Sequence, residues 1–479
     1  MSDYKLYIGG KWLNSLSGQS LDVIDPADGS VFAGLARGQA EDIDQAVLAA
    51  RHALDGEWGA LTAMERGRLL MKLTGLVLEH SEELAALESR DVGKPLREAR
   101  ADVAACARYF EYYAGACDKV HGTSIPFQNG YTIFTLREPH GVTAHIIPWN
   151  YPLQILGRSI GGALAMGNAC VLKPAEDASL SSLKIAELAE TAGFPPGSLN
   201  VVTGLGSEAG AALAGHPGVQ HVSFTGSPQT GALVQQAAAA IPAPVTLELG
   251  GKSPQVVFED ADLDAAEASV MKTIIQNAGQ TCSAGSRVLV QQTIYEPFIE
   301  RLADRFRKLV AGPGDRDPDC GPLVNRTQQQ RVLAYLEQAR RDGLNIRAQG
   351  QLAPNLPPDG FYVRPTLIGE VPPQHALAQE EIFGPVLVAG AFADEAEAVK
   401  LANGTPYGLV AGVWTSDGAR QMRLARAIHA GQVFINNFGA GGGVELPFGG
   451  VGRSGHGREK GFEALYGFSV AKTIAIQHG

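Results

Sequence analysis

The feature that most constrains the fold is a regular alternation of short apolar, β-rich segments with longer amphipathic segments. The β-rich segments are GVTAHIIP, ACVLKP, LNVVTG, HVSFTG, PVTLELGG and SPQVVF. The amphipathic ones, such as AEDIDQAVLAARHAL, MERGRLLMKLTGLVLEHSEELAALES and SSLKIAELAETAG, carry apolar residues at helical spacing. This alternation is typical of βαβ units, and it predicts an α/β fold with mostly parallel sheets covered by helices on both faces. A second alternation runs from about Gly251 to Gly450 and predicts a second α/β unit.

Two segments fall outside both alternations. Residues 122–141 contain an Asn-Gly pair between β-rich runs, which predicts a hairpin, and the tail FSVAKTIAIQ predicts a terminal strand. A hairpin and a lone strand leave unpaired edges unless another element covers them. We therefore expect these segments to pair with another subunit.

Composition excludes several classes of protein. The 479 residues have a net charge of −11 and no dense Lys/Arg stripe, which argues against a nucleic-acid binder. The five cysteines show no C-x-x-C spacing, so we expect reduced thiols and no metal site. The N-terminal sequence MSDYKLYIGGKW lacks the features of a secretory signal, and the most apolar stretch, residues 143–172, is interrupted by prolines and an arginine. These features predict a cytoplasmic protein without a membrane segment.

Two glycine-containing turns are candidate phosphate sites. Residues 201–210 resemble a dinucleotide fingerprint around Gly206, but the third glycine stands one place too late. The better candidate has Gly226 and Ser227 after a strand, and a proline and Gly231 at the start of a helix. Free amides at that helix start and the Ser227 hydroxyl would bind a phosphate. Either turn, taken alone, is more often a structural strand-to-helix connection.

Cys282 is the candidate nucleophile. It lies in NAGQTCSAGSR, among small polar residues and glycines that leave its sulfur uncrowded. The alternative interpretation is a small buried apolar residue, as for most cysteines. A cysteine hydrolase would need a histidine partner, but His145 and His221 both lie within predicted strands.

Glu248 and Asn150 are candidate partners of that nucleophile. Glu248 lies between two leucines at a strand end, where burial would raise its pKa and suit it to general base catalysis. The alternative for Glu248 is a solvated carboxylate. Asn150, in PWNYP, has a side-chain N–H that can stabilise an oxyanion, or it can serve as a turn cap between two prolines.

Taken together, these segments resemble the NAD(P)-dependent aldehyde dehydrogenase superfamily, of the non-acylating kind. The ordered motifs cover nearly the whole chain: YIGGKW (7–12), PWN (148–150), KPAE (173–176), FTGS (224–227), LELGGK (247–252), GQTC (279–282), EIFGPV (381–386) and PFGG (447–450). The resemblance implies a Rossmann-like cofactor domain, an α/β catalytic domain and a small β oligomerisation arm. The cofactor domain would comprise residues 1–118 and 142–248, the catalytic domain residues 249–450, and the arm residues 119–141 and 466–479. A homodimer or homotetramer is implied.

The resemblance also implies a reaction. Cys282 would attack the aldehyde carbon to give a thiohemiacetal, with Asn150 and the Cys282 backbone N–H holding the oxyanion. Hydride loss to the nicotinamide would leave a thioester, and Glu248 would activate the water that hydrolyses it. No metal ion is needed in this scheme.

The implied cofactor is NAD rather than NADP. The carboxylate of Glu176, with Lys173 beside it, would accept the adenosine ribose hydroxyls and repel a 2′-phosphate. Glu381 would hold the nicotinamide ribose, or neighbouring Glu380 would do so instead. The full set of implied cofactor residues is Ile146, Pro148, Trp149, Lys173, Glu176, Gly206, Gly226, Ser227, Gly231, Leu249, Glu381 and Phe383.

Substrate specificity is less constrained by the motifs. The implied substrate residues are Tyr151, Gln154, Arg158 and Phe448. Arg158 would bind a substrate carboxylate or form a structural salt bridge, and Gln276 stands where dicarboxylic-semialdehyde members usually carry a second arginine. The small side chains of residues 440–445 suggest a roomy entrance for a sizeable aldehyde.

Two other functions compete with this one. A CoA-acylating aldehyde dehydrogenase would transfer the thioester to CoA and would not need Glu248. A non-catalytic family member would not need Cys282, Asn150 and Glu248 together. The presence of all three residues argues against both alternatives.

Overall fold

The fold was examined in a computed structural model, which describes residues 2–479 apart from the side chains of residues 2, 3 and 441. The α/β class expected from the sequence is confirmed. The strands are β1 (Ser2–Tyr4), β2 (Leu6–Ile8), β3 (Lys11–Leu13), β4 (Ser20–Ile24), β5 (Val31–Ala36), β6 (Ser124–Ile125), β7 (Tyr131–Pro139), β8 (Val142–Ile146), β9 (Ala169–Lys173), β10 (Leu199–Val201), β11 (His221–Thr225), β12 (Val245–Glu248), β13 (Pro254–Val257), β14 (Arg287–Gln291), β15 (Val310–Ala311), β16 (Asn345–Gln349), β17 (Gln351–Leu352), β18 (Thr366–Gly369), β19 (Val386–Phe392), β20 (Tyr407–Gly408), β21 (Val410–Trp414), β22 (Gln432–Ile435), β23 (Val451–Gly452), β24 (Gly455–His456) and β25 (Ser469–Gln477).

Helices cover the faces of the sheets. They are α1 (Ala40–Asp55), α2 (Glu57–Ala60), α3 (Ala63–Glu79), α4 (Ser81–Val92), α5 (Leu96–Ala116), α6 (Pro152–Ala165), α7 (Leu180–Ala192), α8 (Ala211–Ala214), α9 (Pro228–Ala239), α10 (Leu263–Ile275), α11 (Tyr295–Phe306), α12 (Arg326–Arg341), α13 (Ala376–Gln379), α14 (Glu395–Ala402), α15 (Gly418–Ala427) and α16 (Gly461–Gly467). Across residues 2–479, none of them combines the length and apolar character that crossing a membrane requires.

The first large sheet has eight strands in the order β24-β12-β11-β8-β9-β10-β2-β3. The five strands from β12 to β10 are parallel, and those from β11 to β10 are buried along their whole length, as their continuous apolar sequences predict. Helix α6 connects β8 to β9 and is almost entirely buried, because its sequence is apolar on all sides. The carboxyl ends of β8, β9, β11 and β12 therefore lie at one edge of the sheet.

The second large sheet has seven strands in the order β16-β18-β19-β14-β13-β21-β22. All neighbours are parallel except β16 and β18. This sheet lies within residues 254–435, which agrees with the second predicted alternation.

A separate three-stranded sheet contains the predicted hairpin and terminal strand. Its order is β25-β7-β6, and β25 pairs antiparallel with β7 from Ser469 opposite Pro139 to Gln477 opposite Tyr131. The hairpin and the terminal strand are thus confirmed as secondary structure. Strand β25 forms one edge of this sheet.

Two local features differ from the predicted pattern. The amphipathic segment from Met64 to Ser89 forms two helices, α3 and α4, which meet at His80. Strand β24 pairs antiparallel with β12, with Glu248 opposite Gly455. The chain thus returns to the first sheet after completing the second, a long-range crossing with no local sequence signal.

Candidate active site

Cys282 lies just beyond a tight turn that follows α10. The turn spans Gln276–Gly279, and its residues Asn277 and Ala278 have positive φ angles of 48° and 52°. Of the five cysteines, all within the described residues, Cys282 alone is partly exposed and the others are buried. The expectation of an accessible sulfur agrees with this arrangement.

The surroundings of Cys282 are largely apolar. Its side chain packs against the cluster formed by Leu409, Val410 and Phe448, and Phe434 and Phe438 pack against the same cluster. Burial raises the pKa of the Cys282 thiol to about 11, although the Arg158 guanidinium opposes this shift. This pKa favours the protonated thiol in the free enzyme at neutral pH.

Asn150 is attached to the Cys282 loop by hydrogen bonds. Its side-chain Nδ2 donates to the Gln280 carbonyl at 3.0 Å, and its own carbonyl accepts from Asn277 Nδ2 at 2.8 Å. The side chain is 3 % exposed, and its Oδ1 has no hydrogen-bond partner. Because an amide nitrogen carries two hydrogens, one N–H of Asn150 remains free to donate.

Glu248 ends β12 inside the protein. It is 2 % exposed, and neither carboxylate oxygen has a hydrogen-bond partner. Burial, together with the negative charge of Glu459, raises the pKa of Glu248 well above its ordinary value, while Arg158 opposes the shift. A Cβ atom on Gly449 would lie 2.7 Å from Glu248 Oε1, so glycine there leaves room for the carboxyl group.

Arg158 forms a buried ion pair with Glu459. Its Nη2 also donates to Thr225 Oγ1 at 3.2 Å, and Glu459 Oε1 accepts from Ser223 Oγ at 2.9 Å. The guanidinium is thus neutralised within the protein. The structure thus contains the salt bridge that was one of the two interpretations of Arg158. Sequence reasoning missed Glu459, whose only signal was its position shortly after the PFGG motif.

The other implied substrate residues lie in different surroundings. Phe448 is in the Cys282 cluster, and Tyr151 donates to or accepts from Thr281 Oγ1 at 2.7 Å. Gln154 contacts the protein itself, because its Nε2 donates a hydrogen bond to Asp102 Oδ1 at 3.3 Å.

A buried charge cluster, also missed from the sequence, supports the start of α6. Lys94 Nζ donates to Glu88 at 2.7 Å and pairs with Asp102. Burial opposes the charge on Lys94, but the two carboxylates outweigh it and raise the Lys94 pKa. Glu88 accepts the Leu153 N–H at 3.1 Å, and the Lys94 ammonium lies 4.4 Å from the centre of the Tyr151 ring.

The implied cofactor residues lie mostly at the carboxyl edge of the first sheet. Ile146 and Lys173 end neighbouring strands and are paired in register. Pro148 and Trp149 follow Ile146 and are partly exposed. Lys173 Nζ contacts Glu176 Oε2 at 2.9 Å, and the Glu176 side chain is 37 % exposed. Burial raises the Glu176 pKa, but Lys173 outweighs it, so the pKa lies below its ordinary value.

Helix α9 begins as predicted from its sequence. Ser227 is its N-cap and accepts the Thr230 N–H at 3.1 Å, with a proline in the first turn. The Gly226 N–H donates to the Glu248 carbonyl at 3.0 Å. A Cβ on Gly231 would lie 2.6 Å from Leu249 Cδ2, so glycine lets α9 pack against Leu249.

The other glycine turn is irregular. Gly206 opens a π-helical turn, Gly206–Gly210, before the short α8. This geometry agrees with the displaced third glycine of the fingerprint.

Glu381 faces the site, whereas Glu380 does not. Glu381 Oε1 accepts the Gly251 N–H at 2.9 Å, and burial raises its pKa to about 7. Glu380 instead accepts from the Tyr335 hydroxyl at 2.6 Å on the exposed surface. Phe383 packs edge-to-face against Trp149 with ring centres 5.3 Å apart. Among residues 2–479, no group of three His, Cys, Asp or Glu side chains is arranged to hold a metal ion.

Comparisons with known proteins agree with this arrangement. The model of the aldehyde dehydrogenase family matches residues 12–474. The chain belongs to this family. The enzyme is 44 % identical to the hydroxyisobutyraldehyde dehydrogenase of Mycolicibacterium austroafricanum over 98 % of this chain and 93 % of that protein.

Solved structures show the same fold. A Burkholderia cenocepacia structure, provisionally named as an aldehyde dehydrogenase, is 65 % identical with a TM-score of 0.99, covering 99 % of this chain and 100 % of that one. The Bacillus cereus aldehyde dehydrogenase in complex with NAD+ is 40 % identical with a TM-score of 0.96, covering 100 % of this chain and 97 % of that one. The enzyme is thus an aldehyde dehydrogenase, an oxidoreductase.

Proposed function

We propose that the enzyme oxidises an aldehyde to the carboxylic acid with NAD, through a thioester on Cys282 that water hydrolyses. The observation that carries this proposal is a buried carboxyl group, Glu248, without a hydrogen-bond partner, in the same site as the Cys282 sulfur. An unpaired buried carboxyl group destabilises the fold, so its retention indicates a function. Activation of water for thioester hydrolysis is that function.

Asn150 and Cys282 carry out the first step. The Cys282 thiol first gives its proton to water, and the thiolate then adds to the carbonyl carbon, so that the negative charge moves to the carbonyl oxygen. The free N–H of Asn150 and the backbone N–H of Cys282 would donate to that oxygen. The loss of one such donor typically lowers kcat by about 10²- to 10³-fold.

Glu248 acts in the second step. Its raised pKa makes the ionised carboxylate a strong base for a neighbouring water. The water adds to the thioester carbon as its proton moves to a Glu248 oxygen. The C–S bond then breaks and releases the acid together with the Cys282 thiolate.

The carboxyl edge of the first sheet fits a dinucleotide. The exposed carboxylate of Glu176, held by buried Lys173, suits ribose hydroxyls and would repel a 2′-phosphate, which favours NAD over NADP. The start of α9 offers backbone amides to the pyrophosphate, and Glu381 would hold the second ribose. When bound, NAD supplies the acceptor for the hydride. The NAD+ held by the Bacillus cereus relative supports this choice.

We also propose a division of the chain into functional units. Residues 1–118 and 142–248 would form the cofactor domain, and residues 249–450 the catalytic domain. Residues 119–141 and 466–479 would join two subunits as a homodimer or homotetramer.

The test is NADH formation from aromatic, long aliphatic and carboxylated aldehydes without CoA. We expect NADH with at least one class, less with NADP in place of NAD, and none from Cys282→Ala. A preference for acetaldehyde alone would contradict the expected roomy entrance. NADH formation only when CoA is added would favour the acylating alternative, and no NADH under any condition would favour a non-catalytic protein.

A further inference from the structure

Lys460 is a buried ammonium group with little to neutralise it. The residue is 7 % exposed and has a φ angle of 65°, a left-handed conformation that is uncommon outside glycine. Its Nζ donates to the Gly442 carbonyl at 3.2 Å. An ammonium group has three N–H donors, so the single Gly442 carbonyl does not satisfy its capacity for hydrogen bonds.

The surroundings of Lys460 connect it to the Cys282 site. Its Nζ lies 5.3 Å from the centre of the Phe448 ring and 5.8 Å from that of Tyr109. Phe448 packs with Cys282. Phe448 and Glu459 also exchange two backbone hydrogen bonds, at 2.7 and 2.8 Å, which hold the segment before Lys460 beside that ring. The ammonium therefore faces the aromatic wall of the proposed aldehyde site.

The charges around Lys460 do not cancel its own. Arg158 and Glu459 neutralise each other in their ion pair. Burial raises the pKa values of Cys282 and Glu248, which disfavours the charged forms that could neutralise Lys460. Burial, reinforced by Arg158, lowers the Lys460 pKa to about 8, so the ammonium is still mostly charged at pH 7. The site consequently carries one positive charge without an adjacent counter-ion.

We propose that Lys460 determines substrate specificity by binding an anionic oxygen, a carboxylate or phenolate, on the ring of an aromatic aldehyde. The aromatic part follows from the flat side chains of the cluster against which Cys282 packs, Phe434, Phe438 and Phe448, which favour a planar ring. The anionic part follows from the uncompensated ammonium. This inference rests on the proposed function, since it requires the aldehyde to react at Cys282.

The test compares kcat/KM for benzaldehyde, 4-carboxybenzaldehyde, 4-hydroxybenzaldehyde and succinic semialdehyde in the wild type and in Lys460→Gln. The wild type should prefer one or both anionic aromatic aldehydes over benzaldehyde. Lys460→Gln should lower kcat/KM for those substrates by about 10- to 100-fold, the range for losing a charged hydrogen bond, and change benzaldehyde less than about threefold. The carboxylate and phenolate arms identify which anion is bound.

Two further variants keep the result interpretable. Lys460→Arg retains the charge and should retain the preference, so it also tests the proposal if Lys460→Gln does not fold. Lys472→Gln removes a lysine of β25 that pairs with Glu138 of β7, and it should leave kcat/KM for all four substrates unchanged.

Three outcomes would overturn the inference. The first is that Lys460→Gln keeps the preference of the wild type for anionic aromatic aldehydes. The second is that the wild type uses benzaldehyde and both anionic aromatic aldehydes with equal kcat/KM. The third is that the wild type prefers succinic semialdehyde to the anionic aromatic aldehydes. Oxidation of benzaldehyde in each case would leave the proposed function intact. The absence of NADH from every aldehyde would instead be a failure of the proposed function.

Discussion

At the scale of single residues, the site disfavours the charged forms of both proposed reactive groups. Burial raises the pKa of both Cys282 and Glu248. A thiol and a carboxylic acid are less reactive than their ionised forms, so the free enzyme is protected from adventitious chemistry at its sulfur. Reaction then requires a change in solvation or charge at the site when the ligands bind.

The Cys282 thiol should therefore react slowly with an alkylating reagent near neutral pH. With a pKa of about 11, roughly one molecule in 10⁴ is ionised at pH 7, and the thiolate is the reactive form. The rate of Cys282 alkylation by iodoacetamide, followed by peptide mass spectrometry without NAD, should rise about tenfold per pH unit from 7 to 10. A rate that levels off near pH 8 would show that the sulfur is ionised in the free enzyme.

Glu248→Gln should separate the two chemical steps. The substitution keeps the shape of the side chain but removes the base, so rapid mixing should still show an initial burst of NADH, followed by turnover reduced at least about 10²-fold. Loss of the burst itself would contradict the role given to Glu248.

The same variant should not be less stable at neutral pH. The folded-state pKa of Glu248 is raised above its unfolded value of about 4.3, so this group favours folding below that pH and opposes it as the pH rises. Glutamine has no charge to bury. The melting temperature of Glu248→Gln at pH 7 is therefore expected to equal or exceed that of the wild type, which excludes misfolding as the cause of lost turnover.

At the scale of elements, helices α4, α5 and α6 meet around the buried Lys94 cluster. Lys94 joins Glu88 of α4 to Asp102 of α5, and Glu88 in turn accepts an N–H from the first turn of α6. The cluster thus fixes the start of the helix that follows Asn150. The position of Asn150, the proposed oxyanion donor, therefore depends in part on this buried charge cluster.

Lys94→Met should be strongly destabilising. It leaves two carboxylates buried without their cation, which typically costs about 3–5 kcal/mol. The matched control is Arg100→Met, which breaks an exposed pair with Glu82 and should cost at most about 1 kcal/mol. Urea unfolding at pH 7 measures both, and equal losses in the two variants would mean that the buried cluster contributes no more than a surface pair.

At the scale of the whole molecule, the β25-β7-β6 sheet presents a mainly apolar face. Val470, Ile474 and Ile476 lie on the same side of β25, and Ile474 is opposite Phe134 on β7. One ion pair, between Lys472 and Glu138, lies on the same face. Val470 and Ile476 are exposed in the single chain. An apolar face beside a free strand edge is typical of a subunit interface.

Val470→Glu should disrupt assembly if this sheet joins subunits. A charge on the apolar face would be buried on association, so light scattering should show a smaller species than the wild-type oligomer. Thr473→Glu places the same charge on the opposite face of β25 and serves as the control. The proposal fails if the wild type is a monomer or if both variants assemble as it does.

Local sequence patterns predicted much of this molecule because their causes are local. The continuous apolar runs specify buried parallel strands, Ser227 and the following proline specify a helix start, and the two leucines around Glu248 specify its burial. The pairing of Arg158 with Glu459 could not be predicted in this way. It depends on a crossing of the chain late in the sequence, and no periodicity records which distant segment will supply a counter-ion.

The return of the chain from the second sheet to β12 has a consequence for biosynthesis. Glu459, which pairs with Arg158, emerges late from the ribosome, as do Lys460, which lies over the Phe448 ring, and the β24 strand that covers the edge of β12. The β12 edge of the first sheet therefore stays unpaired while about 200 further residues are translated. A chain truncated before residue 455 would have an unpaired sheet edge and would lack the Glu459 partner of Arg158. We expect chaperones and proteases to recognise such a chain.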